Sequence, residues 1–259
     1  VYQQGYGTKK LNTIQPVDSL TNFHLASISK VFVATAIMQL VEKGKLKLED
    51  KLLKYIPVTE LKDQRFKEVT IEQMLNHTSG FPDVTSYHWA HPKNDSLALG
   101  EYAKKCIAKK NLLFNPGSKF QYSNMAFEVL GHIIEIVSGK YFDAYEYEQV
   151  LSKPGLQHSN FDYAKIDAAR RSSPHVKLFS KVRVSGTYPY NREHGPSSTL
   201  NSCTQDMCLW IQELLKTHAG TSTTGLLTKE TLLDMWSPKY NFASEDYIGW
   251  SWFVHKGPL

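Results

Sequence analysis

The sequence predicts a mixed α/β (α+β) fold: an antiparallel sheet domain built from both chain termini with flanking helices, plus an inserted, mostly helical domain. Three observations carry this expectation. Residues 1–7 alternate and end in glycine as an edge strand does, residues 247–255 alternate between two faces, and the chain between them is dominated by helical periodicity. Strands at the two ends with helices between them put the borders near residues 65 and 200. The expected division is 1–65 with 200–259 as the sheet-containing α/β domain and 66–199 as the insertion, with a cleft between the two.

In residues 31–41, Val31, Ala34, Ile37, Met38 and Val41 recur at three- and four-residue spacing and Gly44 follows as a stop, which predicts an amphipathic helix. Thr70 with Gln73, and Ser202 with Gln205, have the form of capping boxes, in which a hydroxyl and an amide satisfy the free amides of a helix start. They place helices over 71–76 and 203–217. Asn115-Pro116-Gly117 is a turn signal, and after it Phe127, Leu130, Ile133, Ile134 and Val137 form a stripe ended by Gly139, predicting a helix over 125–138. At the far end Ile248, Trp250, Trp252 and Val254 share one face of a strand, and Tyr247, Ser251 and Phe253 share the other.

With 259 residues, 41% of them hydrophobic, the chain is long enough to bury a full core. Its formal charge of +5 comes from 30 basic and 25 acidic residues that are interleaved, a solvated surface and not a nucleic-acid footprint. The longest apolar stretch, 31–41, has about half the length a bilayer requires, so no transmembrane segment is expected. Cys106, Cys203 and Cys208 leave one thiol unpaired and lack the spacing of a zinc site; they are expected to be small buried packing residues. The ten histidines include no His-x-x-x-His pair, and neither a metal nor a cofactor is expected.

The chemistry concentrates at Ser27-Ile28-Ser29-Lys30, where a spacing of three puts a hydroxyl and an amine on one helical face. An alkyl hydroxyl is a poor nucleophile until a base takes its proton, and a lysine serves once burial and neighbouring charge lower its pKa. Taken alone, this spacing is also that of an ordinary helix start. The second element is the Pro-Gly-led loop 116–124, Pro116-Gly117-Ser118-Lys119-Phe120-Gln121-Tyr122-Ser123-Asn124, which ends just before the long apolar helix.

Ser-x-x-Lys followed by Tyr-x-Asn in such a loop resembles the serine β-lactamase-like, penicillin-binding protein superfamily, with its class C β-lactamases, D-alanyl-D-alanine carboxypeptidases and esterases. His77-Thr78-Ser79-Gly80 and the segment 197–202 leading into Asp206-Met207 are similar to further segments of that family. The resemblance implies a serine hydrolase in which Ser27 is acylated, Lys30 and Tyr122 share the general-base and proton-shuttle work, and Asn124 orients the substrate amide or the lysine. It implies that the Ser27 backbone amide is one oxyanion donor, that His77 is structural, and that no cofactor takes part. Substrates would be D-amino-acid peptides, esters or β-lactams, with peptidase or esterase action ahead of true β-lactamase action, in the cell envelope.

The family's third motif, His-x-Gly, Lys-x-Gly or Lys-Thr-Gly, belongs on the strand after the one resembled by 249–254. His255-Lys256-Gly257 has fitting letters but is expected to be a turn ending the first strand of that pair. The resemblance therefore implies a chain truncated at both ends. The alternative is a catalytically inactive binding or scaffold homologue that lacks the third motif.

Overall fold

The computed structural model describes residues 4–257. Helix α1 (Ser29–Glu42) runs through the core, with Phe32, Val33, Ala34, Ala36, Ile37 and Leu40 all buried. Periodicity predicts a single apolar stripe for this helix; the fold instead buries it on nearly every side, including polar Thr35 and Gln39. Burial on the polar side is tolerated because the polar groups are paired. Thr35 Oγ1 donates to Val31 O at 2.8 Å, and Gln39 Nε2 donates to Gln149 O at 2.8 Å and Leu226 O at 2.9 Å. Gly44, at φ +64°, lets the chain leave the helix in the left-handed region.

Helix α2 (Ile71–Leu75) begins at the expected capping box: Thr70 Oγ1 accepts from Gln73 N, and Gln73 Oε1 accepts from Thr70 N. Helices α3 (Ala98–Lys109) and α4 (Asn124–Ser138) pack on one another, and α4 also packs against α1. The α4 cap is Ser123, whose Oγ accepts from Ala126 N at 3.2 Å, and its end is Gly139 at φ +71°, as the stripe predicted. After it come the short helices α5 (Phe142–Tyr145) and α6 (Gly195–Ser198), then α7 (Thr204–Ala219) and α8 (Lys229–Trp236).

The sheets are small and antiparallel, so the molecule is mixed α/β as expected. Strand β1 (Phe23–His24) pairs with β4 (Asn201–Ser202), which holds the segment before Ser27 against the segment after α6. Strands β2 (His175–Leu178) and β3 (Lys181–Val184) form an exposed hairpin, and β5 (Tyr240–Ala243), β6 (Asp246–Ile248) and β7 (Phe253–His255) form a three-stranded sheet. No helix among the described residues is long and apolar enough to cross a membrane.

Several local expectations are corrected. The edge strand assigned to residues 1–7 lies partly outside the described residues. Residues 4–7 are not a strand: the chain folds back, Val17 N donating to Gly7 O at 3.1 Å and Lys9 N to Gln15 O at 2.9 Å. The single strand expected over 247–255 is two, because Ser251 sits at φ +69° and Gly249 packs against α8 so closely that a Cβ would lie 2.2 Å from Met235 O. His255 belongs to β7, opposite Asp246, instead of lying in a turn.

Ser202 does not cap α7. It lies in β4, its Oγ accepting from Ser159 Oγ at 2.7 Å, while Cys203 takes the cap position and Gln205 N is satisfied by Ser19 O at 3.2 Å. Tertiary partners there do the work of a local cap. Cys106 and Cys203 are buried as expected, but Cys208 is exposed, because it lies on the side of α7 opposite the buried stripe of Asp206, Trp210, Glu213, Leu214 and Thr217.

Where α4 meets α6, Gly131 approaches Pro196 so closely that an added Cβ would lie 2.1 Å from Pro196 Cγ. An alanine in a helix normally gains about 1 kcal/mol over glycine, but overpacking against a rigid ring costs about 1–3 kcal/mol. Gly131→Ala is therefore expected to destabilise the protein, read as a lower urea midpoint, and to displace Ser197 next to Pro196. An unchanged or raised midpoint would contradict this packing account.

Candidate active site

Ser27 lies exposed in a short 3-10 turn, Ala26–Ile28, between β1 and α1. Ala26 is at φ +46°, a costly conformation for a residue with a Cβ. The turn is pinned from outside: Leu25 N donates to Leu200 O at 2.8 Å, and Leu200 N donates to Ser29 Oγ at 3.0 Å. One helical turn on, Lys30 is 3% exposed, so the hydroxyl stands at the surface and the amine beneath it.

The loop preceding α4 delivers the other two expected residues. Tyr122 Oη donates to Ser27 Oγ at 2.7 Å. Lys30 Nζ lies 3.3 Å from Ser27 Oγ and makes two shorter contacts, 2.6 Å to Asn124 Oδ1 and 2.8 Å to Ser197 O. Its position relative to Tyr122 is over the ring, 4.9 Å from the centroid. Ser27, Lys30, Tyr122 and Asn124, four residues from two distant segments, thus form one connected cluster, with Tyr122 and Lys30 at the Ser27 oxygen and Asn124 at the Lys30 amine.

Residues outside the expected set hold them there. Asp83 Oδ1 accepts from both Asn124 N and Asn124 Nδ2 at 2.9 Å, which turns the amide so that its oxygen faces Lys30. Glu128, fully buried one turn along α4, accepts from Ser197 Oγ at 2.6 Å and Ser197 N at 3.1 Å and contacts His194 Nδ1 at 3.1 Å. It thereby fixes the carbonyl that binds Lys30. A glutamate four residues after Asn124, beside an apolar stripe, was a visible signal for this role. Asp83 sits in an irregular segment and His194 in a single 3-10 turn, Arg192–His194, both too short to show a periodicity.

His77 links the loop to α2. At φ +59° it is left-handed, its carbonyl accepts from Gln121 N at 2.8 Å, and its Nδ1 accepts from Ser123 N at 3.2 Å, so the ring proton is on Nε2. The ring stands 4.4 Å from that of Tyr122 and 5.1 Å from that of Phe127. Burial, with the Lys30 charge nearby, lowers its pKa to about 3, so it is neutral at ordinary pH.

Burial also lowers the Lys30 pKa to about 8, against the opposing pull of the Glu128 and Asp83 carboxylates. Tyr122 moves the other way: burial raises its pKa, only partly offset by the hydrogen bond to Ser27. A neutral lysine has two N–H groups and one lone pair. Two carbonyl oxygens take the N–H groups here, which leaves the lone pair for the third neighbour, Ser27 Oγ.

The profile of the family described as Beta-lactamase matches residues 1–259. The chain belongs to the beta-lactamase family. It lies with that family in the serine hydrolase superfamily. It is 28% identical over 211 residues to Protein flp of Staphylococcus aureus (strain MW2), covering 81% of this chain and 42% of that protein. It is 29% identical over 172 residues to Penicillin-binding protein 4* of Bacillus subtilis (strain 168), covering 66% and 37%. The chain thus spans less than half the length of these curated relatives. Among solved structures, a penicillin binding protein from Bacillus halodurans superposes with a TM-score of 0.80 at 26% identity, covering 97% of this chain and 74% of that one.

Proposed function

We propose that this beta-lactamase family member is a serine hydrolase that transfers an acyl group from an ester or amide to Ser27 and then to water. The observation that carries the reading is the convergence on Ser27 Oγ of the Tyr122 hydroxyl at 2.7 Å and the Lys30 amine at 3.3 Å. Lys30 is the base: burial has lowered its pKa to about 8, and its N–H groups are already taken. Ser27 Oγ attacks the carbonyl carbon as its proton passes to Lys30 Nζ, and the oxyanion meets the Ser27 backbone amide at the helix start.

Tyr122, whose pKa is raised and whose hydroxyl is bonded to Ser27 Oγ, gives its own proton to the departing alcohol or amine, and the proton on Lys30 replaces it across Ser27 Oγ, the atom both groups touch. In the second half, water attacks the acyl carbon and gives a proton to the same pair, which returns one to Ser27 Oγ as the bond between that oxygen and the acyl carbon breaks. Asn124, turned by Asp83, holds the lysine in place. Substrates of peptide, ester or β-lactam type fit this chemistry, with D,D-peptidase or esterase action ahead of β-lactamase action. The test is intact and peptide mass spectrometry after a fluorophosphonate probe: a single adduct on Ser27 is expected, and no adduct there would overturn the reading.

A pH dependence follows. The base must be neutral, so acylation rises with pH through about 8 as Lys30 loses its proton. The Glu128 charge is the larger of the two that raise the Lys30 pKa. Glu128→Gln removes it, and the rising limb for p-nitrophenyl ester acylation is expected to move to lower pH. A limb that stays in place or moves up would contradict the coupling.

A further inference from the structure

We infer that the cleft beside Ser27 is an acyl pocket selective for neutral, apolar acyl groups, with Tyr87 and Trp89 as its specificity-determining wall. This rests on the hydrolase reading above and adds the substrate class to it. Ser27 opens on a cavity of about 450 Å³ walled by His24, Tyr87, Trp89, Pro174, Val176 and Pro189, a size within the range of small-molecule sites. Among the described residues that line it there is no Asp, Glu, Lys or Arg.

The polar groups that do reach the cavity are turned away or neutral. Ser185 Oγ donates to Thr187 O at 3.0 Å and Ser198 Oγ to His194 O at 3.0 Å, while His175 Nε2 accepts from Leu11 N at 3.0 Å. Burial lowers the His24 pKa to about 4, so that ring is uncharged at neutral pH. Asp83, the acid of the Lys30 network, is held by both amide groups of Asn124. A charged acyl terminus, whether carboxylate or α-ammonium, would lose its water here and gain no counter-ion.

The wall is built from the hub behind the lysine. Tyr87 meets the buried His194 ring edge-on at 4.9 Å, its carbonyl accepts from Asn191 Nδ2 at 3.0 Å, and Trp89 stacks on it at 5.3 Å and 29°. Trp89 and, across the cleft on the β2–β3 hairpin, Val176 are 40% and 43% exposed. These apolar surfaces, left to solvent beside the nucleophile, are what a hydrocarbon chain would cover.

The experiment measures p-nitrophenolate release from acetate, butyrate, hexanoate and hemisuccinate esters by the purified protein, with fluorophosphonate labelling of Ser27 in parallel. Two added methylenes are worth about tenfold in an apolar pocket, so butyrate should exceed acetate by about that factor in kcat/KM, and hexanoate should exceed both. Hemisuccinate, which differs from butyrate by a terminal carboxylate, should fall at least about tenfold below it. Trp89→Ala should cut the hexanoate-to-acetate ratio by about tenfold. Labelling of Ser27 with a flat profile, or with hemisuccinate favoured, would overturn the acyl assignment and leave the hydrolase reading standing. Absence of both release and labelling would overturn the two together.

Discussion

Ser27→Ala is expected to lower acyl transfer by about 10⁴-fold or more and to remove the fluorophosphonate adduct entirely. The magnitude follows from the role: without the attacking oxygen the remaining donors polarise a carbonyl that nothing attacks, and only the residual catalysis of the surrounding site survives. Stability should hardly change, because Ser27 is exposed and the Tyr122 hydroxyl released by the substitution can bond to water. Exposed substitutions of this kind typically stay within about 0.5 kcal/mol. Ester turnover and the urea midpoint, measured on the same sample, separate lost chemistry from lost fold. Retained turnover in this variant would remove Ser27 from the mechanism.

Lys30→Met keeps the length and apolar stem of the side chain while deleting the base, and is expected to reduce the acylation rate by about 10³-fold. Two stability effects oppose one another. Asn124 Oδ1 and Ser197 O lose their donor, at about 1–3 kcal/mol for each buried group left unpaired. Against that, the cost of keeping an amine in a site that lowers its pKa from 10.5 to about 8 disappears, roughly 3 kcal/mol near neutrality. The rate is therefore the decisive readout near pH 7.

Above pH 8 stability separates the two proteins. The folded state holds the Lys30 proton less tightly than the unfolded chain, so between about 8 and 10.5 the unfolded chain binds more protons. Wild-type stability must gain on that of Lys30→Met across this window. Urea midpoints of both proteins at pH 7, 9 and 10.5 check the sign, and a difference that stays constant would mean that Lys30 is not the buried amine described above.

Much of the frame was legible because it depends on local periodicity. The Thr70–Gln73 box, the α4 stripe with its Gly139 stop, and the backbone of the helix carrying Lys30 depend on groups within a few residues. The features where structure departs from local pattern depend on distant partners. Ser202 has the residues of a cap, but its strand pairing with Phe23 and its bond to Ser159 take precedence. The alternation of 247–255 reads as one strand, but the approach of Gly249 to Met235 and the left-handed Ser251 divide it. Trp89, exposed beside the nucleophile, carries no periodic signal, and the alternation around Val176 marks a strand without showing that its apolar side is left to solvent.

By itself, the sequence determined that the Ser27 hydroxyl and the Lys30 amine share one helical face, because three residues come within a fraction of the 3.6-residue turn. It also determined, through likeness of motif, that Tyr122 and Asn124 belong beside them. Only the tertiary structure decided how the protons are held. A lysine's pKa depends on the water it has lost and the charges around it, here from Asp83 and Glu128, and the free direction of its lone pair depends on carbonyls supplied by Asn124 and Ser197. Those groups lie 53 to 167 positions away along the chain, so no local pattern around Lys30 could record them.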